Sequence, residues 1–312
     1  MTYQKDILDR FEQRKIHLKA DYEGFVIATL IKKNVIHSNK AVLYIHGFND
    51  YFFQADMATA FNENGINFYA IDLRRYGRSY LSHQKFNDIR NLKSYYEEID
   101  KAIDIIKAEG NSAIFLMGHS TGGLITTLYA KDHPNETSIK GIILNSPFYD
   151  FNKPLLTKLI LPLASTIGKL LPNIKISGGF TEEYGKSIHI NYNGEWDYNL
   201  EWKPNIAPPI NLGWIRAIYK AQQELKKSFR LSQPALILHS DSSVTNEKDL
   251  NQISTRDAIL NVKDINRVAQ NIQSTKQISI IKGGLHDLAL SQQTVRKEFY
   301  KVIFSWIKNI ES

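Results

Sequence analysis

The residues of this sequence best suited to chemistry form the run Gly118-His119-Ser120-Thr121-Gly122, in which two glycines flank a serine. An apolar stretch before this run predicts a strand, and a helical pattern follows it. A serine at a sharp turn between a strand and a helix exposes its hydroxyl, and the glycines let the two elements cross closely. Free N–H groups at the start of the helix can stabilise an oxyanion. The spacing therefore predicts Ser120 as a nucleophile.

A serine hydroxyl is a weak nucleophile and needs a base, which is usually histidine. Beyond the helix that follows Ser120 there are three histidines: His189, His239 and His286. His286 comes just after the last strand-like stretch and before the final helical pattern. A loop at that position can present its side chain to the serine, so we predict His286 as the base.

Two aspartates are candidates for the acid that orients the histidine. Asp241 comes directly after the strand-like stretch Ala235–Leu238. Asp257 comes later, in a loop that leads into a helical segment, and the apolar pair Ile259-Leu260 just after it can anchor that loop. The sequence favours Asp257 and leaves Asp241 as the alternative.

The elements that must position these residues alternate between strand-like and helix-like patterns. The predicted strands are Phe25–Ile31, Ala41–Ile45, Asn67–Ile71, Ala113–Met117, Ile139–Leu144, Ala235–Leu238 and Ile278–Ile281. The predicted core helices are Asp50–Asn64, Tyr95–Ala108, Leu124–Asp132, Val262–Ile272 and Thr294–Ile310. Nearly continuous apolar strands that alternate with helices indicate an α/β fold, in which helices flank a buried and mostly parallel central sheet.

Residues 149–232 have a different character, with six of the nine prolines and three of the four tryptophans. Two helical pieces, Leu155–Leu171 and Trp214–Phe229, enclose a long and irregular aromatic segment. We predict that this region is a cap, or lid, inserted after the sixth core strand. Residues 1–148 and 233–312 would then form the two parts of the core.

A second motif, His46-Gly47-Phe48, ends an earlier predicted strand. The loop after such a strand can supply a second oxyanion donor, so the backbone N–H of Phe48 is a candidate to act with that of Thr121. The side chain of His119 must point away from the hydroxyl of Ser120. His119 and His46 are therefore candidates to line the substrate site.

Together these motifs resemble the α/β-hydrolase family of monoacylglycerol lipases, lysophospholipases and serine-aminopeptidase-like hydrolases. The resemblance lies in the runs His46–Phe48, Asp72–Ser79, Gly118–Gly123, Asn145–Pro147 and Gly283–His286. It implies an α/β-hydrolase fold whose core covers roughly residues 25–148 and 233–312.

The sequence departs from the family pattern at two places. Arg75 stands where the family usually has glycine, and Ser243 stands where the family has its triad acid. Asp257 looks like that acid, displaced by an inserted loop of about 14 residues.

Composition limits the other possibilities. The chain has no cysteine, which excludes disulfides, thiolate zinc sites and a cysteine nucleophile. It shows neither a signal-peptide pattern nor an apolar run as long as a membrane helix, so we expect a cytoplasmic protein. The net charge is +7, but the lysines are scattered, which is typical of solvated surface charge and not of a nucleic-acid partner.

The predicted reaction is hydrolysis of a carboxylic ester through an acyl-enzyme, with no metal and no cofactor. The resemblance points to a monoacylglycerol, a lysophospholipid or a similar small acyl ester. The apolar residues from 155 to 171 would form an acyl-chain wall, contact a membrane surface transiently or pack on the core. The alternatives are a carboxylesterase for short-chain or aromatic esters, a peptidase, and a non-catalytic binding protein.

Overall fold

The structure is a computed structural model that describes residues 2–35, 37–178 and 181–311, except for the side chain of residue 155. The strands of this part of the chain are β1 (Gln4–Lys5), β2 (Glu12–His17), β3 (Ile27–Lys33), β4 (Lys40–Ile45), β5 (Asn67–Asp72), β6 (Ala113–His119), β7 (Ile139–Asn145), β8 (Lys175–Ile176), β9 (Ile210–Asn211), β10 (Ala235–Ser240) and β11 (Lys276–Ile281). The α-helices are α1 (Ala55–Glu63), α2 (Tyr96–Ala108), α3 (Thr121–Asp132), α4 (Leu155–Leu170), α5 (Glu183–Ile188), α6 (Leu212–Leu225), α7 (Leu250–Ile253), α8 (Val262–Ala269) and α9 (Gln293–Glu311).

Nine of these strands form one sheet in the order β1-β2-β3-β5-β4-β6-β7-β10-β11. The pairs from β5 to β11 are parallel, and the pairs that join β1, β2, β3 and β5 are antiparallel. The central strands are buried because apolar side chains occupy both of their faces. The predicted α/β-hydrolase fold with a mostly parallel sheet is confirmed.

Helices cover both faces of the sheet. One apolar core lies between the sheet and α2, α3 and α8, and it includes Ile99, Leu128 and Ile265. The other lies between the sheet and α1 and α9, and it includes Phe61 and Phe299. Because each face is sealed by a helical layer, loops at the ends of the parallel strands are the part of the core that can bind ligands.

The N-terminal strands and the start of α1 differ from the predictions. Residues Glu12–His17 are mostly charged and show no apolar pattern, yet they form β2, because this antiparallel part of the sheet leaves one face to water. Helix α1 begins at Ala55, not at Asp50. The backbone N–H of Phe52 donates to the Asp72 carboxylate (2.9 Å), which holds residues 50–54 as a loop.

The chain leaves the large sheet after β7 and returns to it at β10. Between them lie α4, β8, α5, β9 and α6, and β8 pairs only with β9 in the described part of the chain. Helix α4 packs against α6. Counted from β2, strand β7 is the sixth strand.

Among the described helices, none combines the length and the apolar character needed to cross a lipid bilayer.

Candidate active site

Ser120 stands at the junction of β6 and α3 with φ +51° and ψ −114°, a backbone conformation that residues other than glycine rarely adopt. Strand and helix meet closely on both sides of it. A Cβ atom added to Gly118 would lie 2.4 Å from the carbonyl oxygen of Gly122, and one added to Gly122 would lie 2.1 Å from that of Ile45. Both glycines are therefore required by the crossing, as the sequence indicated.

Three of the predicted site residues form one chain of hydrogen bonds. The Nε2 atom of His286 lies 2.9 Å from Ser120 Oγ, and its Nδ1 atom lies 3.1 Å from Asp257 Oδ2. All three side chains are buried. Asp257 is an acceptor at Nδ1, so a neutral ring carries its proton there and leaves Nε2 to accept from the serine hydroxyl. This arrangement can remove a proton from Ser120.

Asp257 is held by its own loop. Its Oδ1 atom accepts from the backbone N–H groups of Ile259 (2.9 Å) and Leu260 (2.8 Å), the apolar pair that the sequence singled out. The carboxylate is thus fixed on one oxygen and faces His286 with the other.

The two ends of the inserted loop, at Ser243 and Asp257, lie next to each other. Ser243 forms an isolated parallel bridge with Asp257, and the N–H of Val244 donates to the carbonyl of Asp257 (2.8 Å). The hydroxyl of Ser243 accepts from the N–H of Val262 at the start of α8 (3.0 Å). An excursion of about 14 residues therefore brings Asp257 beside the residue that occupies the family's acid position.

Asp241, the alternative acid, is exposed and has a different partner. Its Oδ1 atom accepts from the N–H of Gly283 (2.8 Å), in the loop that carries His286. Asp257 therefore contacts the Nδ1 atom of His286, whereas the Asp241 carboxylate accepts from a backbone N–H.

The predicted oxyanion donors flank Ser120 on two sides. Thr121 is the first residue of α3, where a backbone N–H has no acceptor within its own helix. The loop that contains Gly47 and Phe48 passes close to Ser120, since a Cβ added to Gly47 would lie 3.1 Å from Ser120 Cβ.

His46 has a structural position, which corrects the expectation that it lines the substrate site. Its Nδ1 atom bonds the carbonyl of Gly47 (2.7 Å), and its Nε2 atom accepts from the N–H of Leu73 (3.1 Å). Both ring nitrogens are therefore used by the backbone. Burial, the largest influence, lowers the pKa of this ring below its usual range and keeps it neutral.

His119 lies beside His286, and the centroids of the two rings are 4.8 Å apart. Its Nδ1 atom lies 3.3 Å from the carbonyl of Asn145, and burial is the main cause that lowers its pKa. It is 5% exposed, so its ring packs behind the site more than it lines an open cavity.

Sequence reasoning missed a buried network behind His286. Asp287 Oδ1 accepts from Asn145 Nδ2 (2.7 Å), and Oδ2 accepts from Gln54 Nε2 (3.1 Å). The backbone N–H of Asp287 donates to the hydroxyl of Tyr184, which belongs to the inserted region (3.1 Å). The only sequence signal was Asn145 within a family-like run, and that signal did not show its partner.

One group of residues in the described part of the chain could hold a metal ion. Ligand atoms of Asp50, His119 and Asp287 all lie within 4.8 Å of one another. Lys203 already pairs with Asp50 Oδ1 (2.9 Å), and amide donors bond both oxygens of Asp287. Because these partners largely account for the cluster, we assign no metal to it.

Aromatic side chains form a wall near Ser120. The ring of Phe48 packs on that of Trp214 at 4.7 Å, and Phe151 joins Phe148 at 5.2 Å and Trp214 at 6.5 Å. The N–H of Phe148 donates to the carbonyl of Ser120 (2.9 Å), so this wall adjoins the serine. Trp214 comes from α6, so the inserted region contributes to the wall.

A sequence model of the family described as serine aminopeptidase, S33, matches residues 36–293. The chain belongs to this family. The predicted membership of the α/β hydrolases is thereby confirmed. The prediction of an ester hydrolase is supported by the relatives described next, which are named as lipases.

Two curated relatives and one solved structure are similar to the chain. A monoglyceride lipase homolog of Monkeypox virus is 25% identical over 274 residues, which are 86% of this chain and 90% of that protein. Monoglyceride lipase of Saccharomyces cerevisiae is 26% identical over 232 residues, 66% and 68% of the two chains. A soluble variant of the yeast enzyme, solved with a substrate analog, superposes with a TM-score of 0.71 at 17% identity and covers 99% of each chain. At that identity the superposition demonstrates the shared fold alone.

Proposed function

We propose that the protein hydrolyses a carboxylic ester with Ser120 as nucleophile, His286 as general base and Asp257 as the acid that orients His286. The observation that carries this proposal is the continuous contact from Ser120 Oγ through His286 to Asp257 Oδ2 (2.9 and 3.1 Å). The strained backbone of Ser120 is a second support, because nucleophilic serines occupy such turns.

In the proposed reaction His286 Nε2 takes the proton of Ser120 as Oγ attacks the ester carbonyl. The backbone N–H groups of Phe48 and Thr121 then stabilise the tetrahedral oxyanion. His286 returns the proton to the leaving alcohol, and a water molecule activated by the same ring resolves the acyl-enzyme. No step of this reaction calls for a metal or a cofactor.

We further propose a monoacylglycerol as the substrate class. The aromatic wall of Phe48, Phe148, Phe151 and Trp214 offers an apolar surface for an acyl chain next to the serine. The names of the two curated relatives agree with this choice. An aromatic or short-chain ester is the competing substrate class.

We propose that residues 149–232 act as a cap whose outer face contacts lipid. Helix α4 has large apolar side chains that are mostly exposed, with Leu156 and Leu170 at 77%, Leu159 at 66% and Leu163 at 62%. A patch of this kind is typical of a surface that docks on another apolar phase. The side chain of Leu155, part of the predicted apolar stretch, lies outside the described residues.

Hydrolysis of monoacylglycerols and of p-nitrophenyl esters with increasing acyl length tests the substrate class. Wild type should prefer medium or long chains, and Ser120→Ala should have no activity above the uncatalysed rate of any ester. A sharp optimum at acetyl or butyryl esters would contradict the lipase assignment and favour a carboxylesterase. Turnover of feruloyl esters with none of aliphatic ones would favour an aromatic-ester hydrolase.

A further inference from the structure

A cavity of about 270 Å³ lies between the core and helix α6, and none of the candidate active-site residues lines it. Its floor contains Leu92 and Leu128 of the core and two small residues of α6, Ala217 and Ala221. Small side chains at these two helix positions leave the space that the cavity occupies. Four cationic side chains line it as well: Arg90, Lys93, Arg216 and Lys220.

Carboxylates pair with one of these four cations. Lys93 lies 3.0 Å from Glu224, the acidic residue of the lining, and 2.8 Å from Asp132, while Glu224 also pairs with Lys131 (3.1 Å). Among the described residues, Arg90, Arg216 and Lys220 have no carboxylate within 4.0 Å. These three positive charges therefore have no direct carboxylate partner, and Lys220 is exposed to solvent.

Asp88, a buried acid two residues before Arg90, has other partners. Asp88 accepts from the hydroxyl of Tyr22 (3.0 Å) and from the side-chain amide of Asn211 (2.7 Å). The guanidinium of Arg90 stacks on the Tyr22 ring at 3.8 Å and donates to the side chain of Asn173 (3.1 Å). Its Nε atom is buried and has no hydrogen-bond partner in the part of the chain that the structure describes. A buried N–H of this kind requires a hydrogen-bond acceptor, which a water molecule or an anion oxygen can supply.

Helix α6 adds two charges that repel each other. Arg216 and Lys220 are four residues apart on the same face of the helix, an arrangement that slightly destabilises it because the two positive charges repel each other. Arg216 also donates to the carbonyl of Ser165 in α4 (3.0 Å), and this bond fixes its guanidinium at the cavity. Two guanidinium groups held in place suit an anion with several oxygens, since each can bond two of them.

From these observations we propose that this cavity, lined by Arg90, Arg216 and Lys220, binds a phosphate group. The contact between Arg216 and Ser165 connects the cavity to α4, the helix whose leucines are exposed, so the head group of a lipid is one source of phosphate to test. A small soluble phosphomonoester would satisfy the same cations. The binding of phosphate does not depend on the reaction proposed for Ser120.

Two binding measurements test the site on the full chain. The first is flotation with vesicles of phosphatidylcholine alone or with added phosphatidylglycerol. The second is calorimetric titration with glycerol 3-phosphate. The test variant is Arg216→Gln/Lys220→Gln. Its control, Lys226→Gln/Lys227→Gln, removes the same charge from exposed residues just beyond α6.

The wild type should bind either the phosphatidylglycerol vesicles or glycerol 3-phosphate, and the control variant should bind the same ligand with equal affinity. The test variant should bind that ligand about tenfold more weakly. Vesicle binding alone identifies a lipid head group, and titration alone identifies a soluble phosphate. The absence of binding in both measurements, or equal losses in the test and control variants, would overturn the proposal.

Two further checks keep the result interpretable. Arg90→Gln, a second test variant outside α6, should weaken binding in the same way. Thermal unfolding and hydrolysis of p-nitrophenyl butyrate should stay at wild-type values in all variants. A variant that loses phosphate binding but retains hydrolysis is altered at the phosphate site. A variant that loses hydrolysis but retains phosphate binding is altered in the reaction proposed for Ser120.

Discussion

His286 Nε2 lies 2.9 Å from Ser120 Oγ, although 166 residues separate the two in sequence. They meet because β6, β10 and β11 run parallel and end at the same edge of the sheet. The chain beyond these three strands carries Ser120, Asp257 and His286 in that order. Because the three residues lie on separate segments of the chain, each can be substituted without changing the segments that carry the other two.

Asp257→Asn should lower kcat by about 10³- to 10⁴-fold with little loss of stability. The asparagine oxygen can still accept from the N–H groups of Ile259 and Leu260, so the loop keeps its bonds. Its NH₂ group would then face His286 Nδ1 and favour the tautomer that is protonated on Nε2, which cannot accept from serine. Steady-state kinetics with a p-nitrophenyl ester measures the effect.

Asp241→Asn is the matched control, because it removes the same charge from the other candidate acid. The amide oxygen can still accept from the N–H of Gly283, so kcat should change less than about threefold. If Asp241→Asn stops turnover and Asp257→Asn does not, the assignment of the acid is wrong.

Gly122→Ala should destabilise the fold by more than about 3 kcal/mol, because its Cβ would lie 2.1 Å from a backbone oxygen of β4 that cannot move freely. Urea unfolding monitored by circular dichroism gives the free energy of unfolding. Gly110→Ala serves as the comparison, since it has φ +91° and no atom within 4 Å of the added Cβ. It should cost only about 1 kcal/mol of backbone strain. Similar losses in the two variants would argue against the close crossing.

Stability should fall as the pH drops below about 6.5, the ordinary pKa of histidine in an unfolded chain. Burial is the largest cause that lowers the pKa of His46 and of His239. Between those lowered values and about 6.5 the unfolded state binds protons that the folded state does not. The stabilisation of the folded state by the two neutral rings is therefore complete above about pH 6.5. As the pH falls below this value, the free energy of unfolding decreases by up to about 1.4 kcal/mol per pH unit for each ring.

Urea unfolding at several pH values from about 8 to about 5 measures this slope. His239→Asn should make it shallower, because one titrating ring is removed. A slope identical to that of wild type would contradict a lowered pKa at His239.

Leu159→Gln/Leu163→Gln should reduce binding to phosphatidylcholine vesicles by about tenfold or more. In the wild type, the two exposed leucine side chains move from water into the lipid surface on binding, and glutamine does not gain the same free energy from this transfer. Hydrolysis of a soluble short-chain ester should not change. The control is Leu250→Gln, at a leucine of comparable exposure (51%) outside α4. Unchanged vesicle binding by the double variant would remove α4 from the proposed lipid contact.

The local sequence pattern was sufficient to predict the strand, the turn and the helix around Ser120, and to place His286 in a loop. Asp257 was harder to assign, because the inserted loop separates it from its strand, yet the apolar pair after it marked the loop that the structure brings next to His286. The fold followed from apolar strands that alternate with helices. The charged strand β2 was missed because its pairing with β3 is not visible in its own composition.

The network around Asp287 was beyond sequence reasoning for a physical reason. Its partners Asn145 and Gln54 lie 142 and 233 residues away, and single polar residues at such separations leave no periodic pattern. The structural position of His46 was hidden in the same way, since its acceptor role toward Leu73 depends on how two strand ends meet.

Labelling with a fluorophosphonate probe tests the central claim most directly, because the probe reacts covalently with an activated serine and needs no knowledge of the substrate. Wild type should gain the mass of one probe on the peptide that contains Ser120, and His286→Ala should label far more slowly. Ser120→Ala should remain unlabelled while it unfolds at the wild-type temperature. A folded wild type that takes up no probe, or a Ser120→Ala variant that takes it up equally well, would contradict the account.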